Sequence, residues 1–306
     1  MQKTNGDKIT HFGIALLTQL ALHCGRSLLL NAVYTLMSAS AVTPITRALP
    51  YVYSILSLIL KLAVFLLPTF IYLKLCDIPL QNLLTPSSDA PQKNTPALYK
   101  TLQFIAAASI TLNAANLSGL ATEYLYKALG ISPSPSTIPE DILLQLISLI
   151  SAVILAPLLE ELLFRGVALN ALSGYGNRAI FISGLLFALM HYSSYSLIYA
   201  FVAGCIIEYF TKRTNSLKTA VGLHLTNNLI TFASLLIGFY INENASHLFG
   251  YILTGITLPI AVFGTVMLIK EAHAKSPSPK QENTEKLSPG IILYILISAI
   301  LCAITR

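Results

Sequence analysis

The chain reads as an all-α, polytopic transmembrane helical bundle of about eight or nine spans. Three observations predict it. Apolar side chains make up 55% of the 306 residues and charged ones only 10%, against roughly 25% charged in a soluble domain. The apolar residues gather into runs near 12–42, 51–73, 102–126, 142–169, 178–194, 196–211, 217–241, 248–269 and 289–305, most of them close to the ~20 residues that one helical crossing needs. Stretches rich in Pro, Ser and Asn separate several of these runs, and the mean hydropathy is +0.69.

Taken in order, the first run is overlong and interrupted by His23 and Arg26. It is expected to be an interfacial helix followed by a span from about residue 27. Lys3, Lys8 and the Ala39-Ser40-Ala41 triplet imitate a signal peptide, but such a leader has a shorter apolar core without buried charge. Residues 77–99, 130–139 (with Pro133, Pro135 and Pro139) and 271–288 (with Pro277 and Pro279) are expected to be loops. The last of them sets the final run apart as an appendage. The chain divides into N-terminal helices at 1–126, a core at 140–240 and C-terminal helices at 245–306 with the linker 271–288. No repeat of fixed period is present.

Lys and Arg set orientation, because positive loops stay in the cytoplasm. With nine spans and a cytoplasmic N-terminus, thirteen basic residues fall inside and only Arg47, Lys127 and Arg306 outside. The net charge of +6 therefore belongs to a lipid-facing protein and not to a nucleic-acid partner. The expected location is multi-pass in a membrane, that of a prokaryotic cell. The four cysteines, Cys24, Cys76, Cys205 and Cys302, stand singly, which suggests neither a disulfide framework nor a thiolate zinc site.

Against this apolar background six polar side chains stand out: Glu160, Glu161, Arg165, His191, His224 and Asn228. Each ion in a bilayer core costs about 2.5–3.5 kcal/mol on insertion scales, so a chain that keeps them has a use for them. At ~1.5 Å of rise per residue, His224 lies about 9 Å, Glu160 about 15–20 Å and His191 about 20 Å from the cytoplasmic edge, within reach of one cavity open to that side. In Glu160-Glu161-Leu162-Leu163-Phe164-Arg165, neighbours on a helix diverge by about 100°, so the two acids hold different roles. Glu161 pairs with Arg165 at i,i+4 and leaves Glu160 for a substrate. Pro157, one turn earlier, removes a backbone donor and widens the space beside Glu160. In Phe187-Ala188-Leu189-Met190-His191 the phenyl ring underlies the imidazole, in the substrate pocket. In His224-Leu225-Thr226-Asn227-Asn228, His224 and Asn228 share a face and Asn227 turns away. A carboxylate, two imidazoles and an amide suffice to hydrolyse an acyl bond. The carboxylate serves as general base, one imidazole orients the water or protonates the leaving amine, and the other joins the amide in stabilising the oxyanion.

Glu-Glu-x-x-x-Arg, Phe-x-x-x-His and His-x-x-x-Asn, in this order on successive membrane segments, resemble the CPBP family. It includes the type II CAAX prenyl endopeptidases, the bacterial Abi proteins and bacteriocin-immunity proteins. The likeness covers about residues 140–240. It implies an intramembrane endopeptidase in which Glu160 and His191 activate water and His224 and Asn228 form the oxyanion hole. Its substrate would be a lipidated tail, a peptide precursor or a membrane protein, met in or at the bilayer. A metal-free glutamate mechanism is favoured, with no cofactor. Zinc on Glu160, His191 and His224 is the alternative, against which stand the lack of HExxH and of an evident carboxylate behind each imidazole. Two other classes remain open. A proton-coupled transporter would show paired repeats, and a non-catalytic scaffold or immunity protein would tolerate loss of Glu160.

Other polar residues are assigned structural places. His23, Arg26, Lys61 and Glu123 line the same cavity or pair between helices. Glu208 is expected to be a surface partner of Lys212. Tyr192, Tyr195 and Tyr199 are expected in an interfacial belt, and His247 and His273 in loops.

Overall fold

The computed structural model describes residues 3–40, 42–84, 97–131, 138–274 and 286–304. Within them the chain is helical throughout, without a strand. Helix α1 is Asn5–Ser38, α2 Thr43–Cys76, α3 Ala97–Ala128, α4 Ile142–Ala171, α5 Arg178–Leu189, α6 Ser194–Thr214, α7 Leu217–Tyr240, α8 Glu243–Ala274 and α9 Pro289–Ile304. Seven of these are long and apolar enough to cross a membrane, and α5 and α9 are shorter apolar helices. The polytopic bundle stands. Much of 77–99, the segment with Pro133 and Pro135, and most of 271–288 with Pro277 and Pro279 lie outside the described residues, as does Ala41.

Local chemistry sets the helix ends. Thr4 and Asp7 form a capping box at the start of α1. Asp77 and Asn215 close α2 and α6 in the left-handed conformation. Asp141 caps α4, accepting from the Leu143 and Leu144 amides at 2.9 and 3.0 Å, and takes the Tyr51 hydroxyl at 2.8 Å. These bonds, the Leu144 amide foremost, hold its carboxyl below the usual carboxylate range. A depressed carboxyl stabilises the fold at pH above its ordinary value, and that contribution is lost as the pH falls through the lowered one. Asp141→Ala is therefore expected to lower the melting temperature at neutral pH and to narrow its gap to wild type in acid. Asp141→Asn keeps most of the cap. Scanning calorimetry across pH 3–7 in nanodiscs reads both, and a constant gap would contradict the assignment.

Helix α1 is one unbroken helix, not an interfacial piece followed by a span. Its polar residues find partners. The His23 ring lies on Tyr192 with centroids 4.1 Å apart, and Arg26 Nη2 donates to Ser57 Oγ on α2 at 2.7 Å. Nor is α9 an appendage. Ile291 and Tyr294 are fully buried, and Ser288 Oγ donates to the Ile9 carbonyl at 3.1 Å. A Cβ on Gly13 would stand 3.1 Å from Gly290 Cα, so α1 and α9 meet backbone to backbone.

Two apolar clusters build the bundle. The larger joins α1, α2, α4, α5 and α9 around Phe12, Leu16, Tyr72, Leu163 and Ile291. The smaller joins α3, α6 and α7 around Ala107, Ile207 and Leu223. They meet where α5 crosses α6. A Cβ on Gly184 would lie 2.5 Å from Cys205 Sγ and 3.1 Å from its backbone nitrogen, and one on Gly204 3.2 Å from Gly184 Cα. Small residues permit this close approach, as in other membrane helix pairs. Gly184→Ala forces the helices apart, with an expected loss of about 1–3 kcal/mol measurable by denaturant unfolding in mixed micelles. A stability equal to wild type would show that the crossing is not tight.

Helix α5 has 12 residues and spans roughly 18 Å at 1.5 Å per residue, short of the ~30 Å apolar layer. It stops at Leu189, and Tyr192 turns the chain at φ 48°. His191 thus sits in a turn, not on a helix. Tyr192 is buried and donates to Gln19 Oε1 at 2.8 Å, so it is no part of an interfacial belt. His247 and His273 lie on α8 rather than in loops, and Glu123 is exposed on α3.

Candidate active site

The site is built on α4, and α4 is not a uniform α-helix. Ile150–Leu155 and Leu162–Val167 are π-turns on either side of Ala156–Glu161. Such turns insert one extra residue and often mark functional positions. In the first, the Ala156 amide bonds the Ser151 carbonyl five residues back. The next carbonyl, that of Ala152, would look to residue 157, and Pro157 has no N–H. Asn228 fills the gap, its Nδ2 donating to the Ala152 carbonyl at 2.9 Å. The proline of the first motif and the amide of the third are thus two halves of one contact.

Glu161 and Arg165 pair at i,i+4 as the spacing predicts, Arg165 Nη1 donating to Glu161 Oε1 at 3.0 Å. Both are sealed from solvent, at 0% and 1% exposure. The same Glu161 oxygen lies 2.7 Å from His224 Nδ1. A carboxylate paired with a guanidinium only accepts, so His224 carries a proton on Nδ1 and directs Nε2 outward. His191 Nδ1 lies 3.0 Å from the Phe187 carbonyl, which likewise only accepts, so its free nitrogen is also Nε2.

Glu160 stands apart from that network. Its Oε2 is 3.9 Å from His224 Nε2, too far for a hydrogen bond. It keeps 9% exposure. It is the carboxylate free to meet a ligand. Phe187 lies beneath the assembly, its ring 5.1 Å from His191, 5.6 Å from His224 and 4.3 Å from the Arg165 guanidinium carbon. At 3% exposure it holds the rings that face the site.

Glu160, Glu161, Arg165, Phe187, His191, His224 and Asn228 therefore form one constellation. Lys61 approaches it from α2, donating to Ser151 Oγ at 2.9 Å. Sequence reasoning missed Glu208. It is fully buried rather than on the surface, with Oε2 3.6 Å from Arg165 Nε and 3.1 Å from Ser183 Oγ, while Lys212 donates to the Gly176 carbonyl. Its signal was Gly204 one turn earlier, which marks that face of α6 as the one packed inward.

As zinc ligands, Glu160, His191 and His224 have the right donor atoms. Both imidazoles also have the support that the sequence did not reveal, Glu161 behind His224 and a backbone carbonyl behind His191. Yet among the described residues no three His, Cys, Asp or Glu side chains converge as a metal ion requires. No step is derived through zinc.

Residues 142–230 match the family model described as type II CAAX prenyl endopeptidase Rce1-like. Neither the curated proteins nor the solved structures contain a match. The matched stretch begins at the first residue of α4, ends within α7 and holds all three motifs with the geometry given above. The chain is an integral membrane protein that, over the segment building this site, is similar to the type II CAAX prenyl endopeptidases.

Proposed function

We propose that this protein is an intramembrane endopeptidase in which Glu160 activates the attacking water. One observation carries the reading. Glu160 is the only acid of the cluster not consumed by Arg165, and it stands beside two imidazoles whose Nδ1 atoms are held from behind. Glu160 takes a proton from water as it adds to the scissile carbonyl and passes that proton to the amine nitrogen as the C–N bond breaks, while His191 Nε2 orients the water by accepting from it. His224 serves the oxyanion when Nε2 also carries a proton. Glu161 on Nδ1 stabilises that imidazolium, as a carboxylate does behind a catalytic histidine. Asn228 gives one N–H to Ala152 and has a second to give to the oxyanion. Glu161 and Arg165 position the imidazole and do not touch substrate.

The substrate is a peptide or protein segment presented in or at the membrane: a lipidated tail, a peptide precursor or a membrane protein. It enters from the cytoplasmic side, with the N-terminus on that side. The test uses the purified protein in liposomes with a panel of membrane-tethered peptides, including prenylated tails, and product mapping by mass spectrometry. Wild type is expected to cut at a defined bond, unaffected by serine- and cysteine-directed reagents or by a strong zinc chelator. Loss on chelation, restored by zinc, would overturn the metal-free mechanism. Intact peptides throughout would favour a non-catalytic scaffold.

A further inference from the structure

Glu208 lies outside all three motifs, yet it is as deeply buried as any charged group in the chain. An ion inside a membrane protein is costly unless paired, and Glu208 has no shortage of apolar substitutes that would fill its place on α6. Its surroundings say what it does. Arg165 is held on four sides. Nη1 donates to Glu161 Oε1 at 3.0 Å, Nη2 donates to the Gly204 carbonyl at 3.0 Å, the Phe187 ring covers the guanidinium carbon at 4.3 Å, and Nε faces Glu208 Oε2 at 3.6 Å. Gly204 and Glu208 are i,i+4 on α6, so one helix face supplies two of the four sides. Glu208 is itself fixed by Ser183 of α5 at 3.1 Å, and the Ser183 hydroxyl also lies 3.1 Å from the Phe164 carbonyl in the second π-turn of α4.

These contacts make a row across three helices: Glu208, Arg165, Glu161, His224. The first member anchors the far edge of the guanidinium and the last faces the reacting centre. We infer that Glu208 is a positioning residue for the reaction proposed above, acting through Arg165 to hold Glu161 against His224 Nδ1. Without its charge, one edge of the guanidinium loses its anchor. Arg165 then turns toward Glu161, which has a single oxygen placed for both Arg165 and His224. His224 shifts, and a misplacement near 1 Å costs on the order of 100-fold in rate.

The inference rests on the endopeptidase reading, and the experiment separates the two. Glu208→Gln keeps the volume and an oxygen for Ser183 but removes the charge. In liposomes, kcat is expected to fall by roughly 10- to 100-fold, as for other residues one step behind a catalytic group. KM is expected to stay within about twofold, since Glu208 cannot touch substrate. Glu208→Asp restores part of the rate. If Glu208→Gln does not fold, Ser183→Ala releases the same carboxylate and is expected to show a smaller loss of the same kind. Wild-type kcat with only a lower melting temperature would overturn the inference and reduce Glu208 to a structural ion. A loss expressed wholly in KM would overturn it as well.

If wild type cuts nothing, the endopeptidase reading has failed, and Glu208 is then judged without substrate. ¹⁵N-arginine NMR of the protein in nanodiscs reports whether the Arg165 guanidinium is held. Separate Nη resonances for Arg165 in wild type that merge in Glu208→Gln support the anchor. Identical spectra in the two proteins overturn it.

Discussion

Glu160→Gln is expected to fold like wild type and to lose nearly all turnover, with kcat/KM down by about 10²–10⁴, the span that general-base groups contribute. The two halves of this expectation have separate grounds. Glutamine matches glutamate in shape but takes no proton from water, so the chemical step fails. Stability is spared because Glu160 is in no tight ion pair: its nearest ionic contact, to His224, is 3.9 Å. Its removal leaves the buried Arg165 network intact, since Arg165 keeps Glu161 and Glu208. The check is kcat/KM on a cleaved tethered peptide beside the melting temperature of the same preparation. Equal turnover by wild type and Glu160→Gln would remove Glu160 from the chemistry. A large drop in melting temperature would mean that the carboxylate is part of the scaffold.

What the sequence made legible follows the helical period. Pairs at i,i+4 came through: Glu161 with Arg165, Phe187 under His191, His224 in line with Asn228. Each depends only on the roughly 100° turn per residue, which the local sequence dictates. What escaped depends on contacts between distant segments or on departures from that period. The π-turns at 150–155 and 162–167 leave no periodic trace, because one added residue shifts the pattern without erasing it. Pro157 announced a distortion, but not that Asn228, 71 positions later, would bond the carbonyl it leaves open. The carboxylate behind His224 was likewise invisible until α4 and α7 were side by side.

Glu208 shows the same limit from the other direction. Its spacing to Lys212 satisfied a correct rule of isolated helices, and the rule lost to burial. On the face of α6 that carries Gly204, the side chain points into the bundle, where Arg165 is a far stronger partner than a lysine at the helix end. Tyr192 followed the same course. Three tyrosines at a turn suggested a belt at the membrane surface, but α5 is too short to bring that turn to a surface, and Tyr192 ends beneath His23 with its hydroxyl on Gln19. For Glu208 the inward face of α6 decided, and for Tyr192 the short helix that precedes it.

Arg165→Ala is expected to cause the largest loss of stability of any single change here, about 3–5 kcal/mol, the cost of removing one partner from a buried ion pair. The reason is arithmetic of charge. Arg165 is the one cation between Glu161 and Glu208, all three at essentially zero exposure, and its loss leaves two carboxylates facing each other in an apolar bundle. It also vacates the Gly204 carbonyl and the face of Phe187, so packing is lost along with charge. Arg165→Lys recovers little, because an ammonium cannot present a planar fork to Glu161, Gly204 and Glu208 together. Arg165→Ala combined with Glu208→Gln is the informative pair. With one carboxylate neutralised, less charge is stranded, and the double variant is expected to be more stable than Arg165→Ala alone. Unfolding by denaturant in mixed micelles measures all four corners of this cycle. Additive losses would mean that the row from Glu208 to His224 is a set of independent contacts. A rescue would show it to be a single electrostatic unit, in which the ion that stabilises the bundle also sets the imidazole beside Glu160.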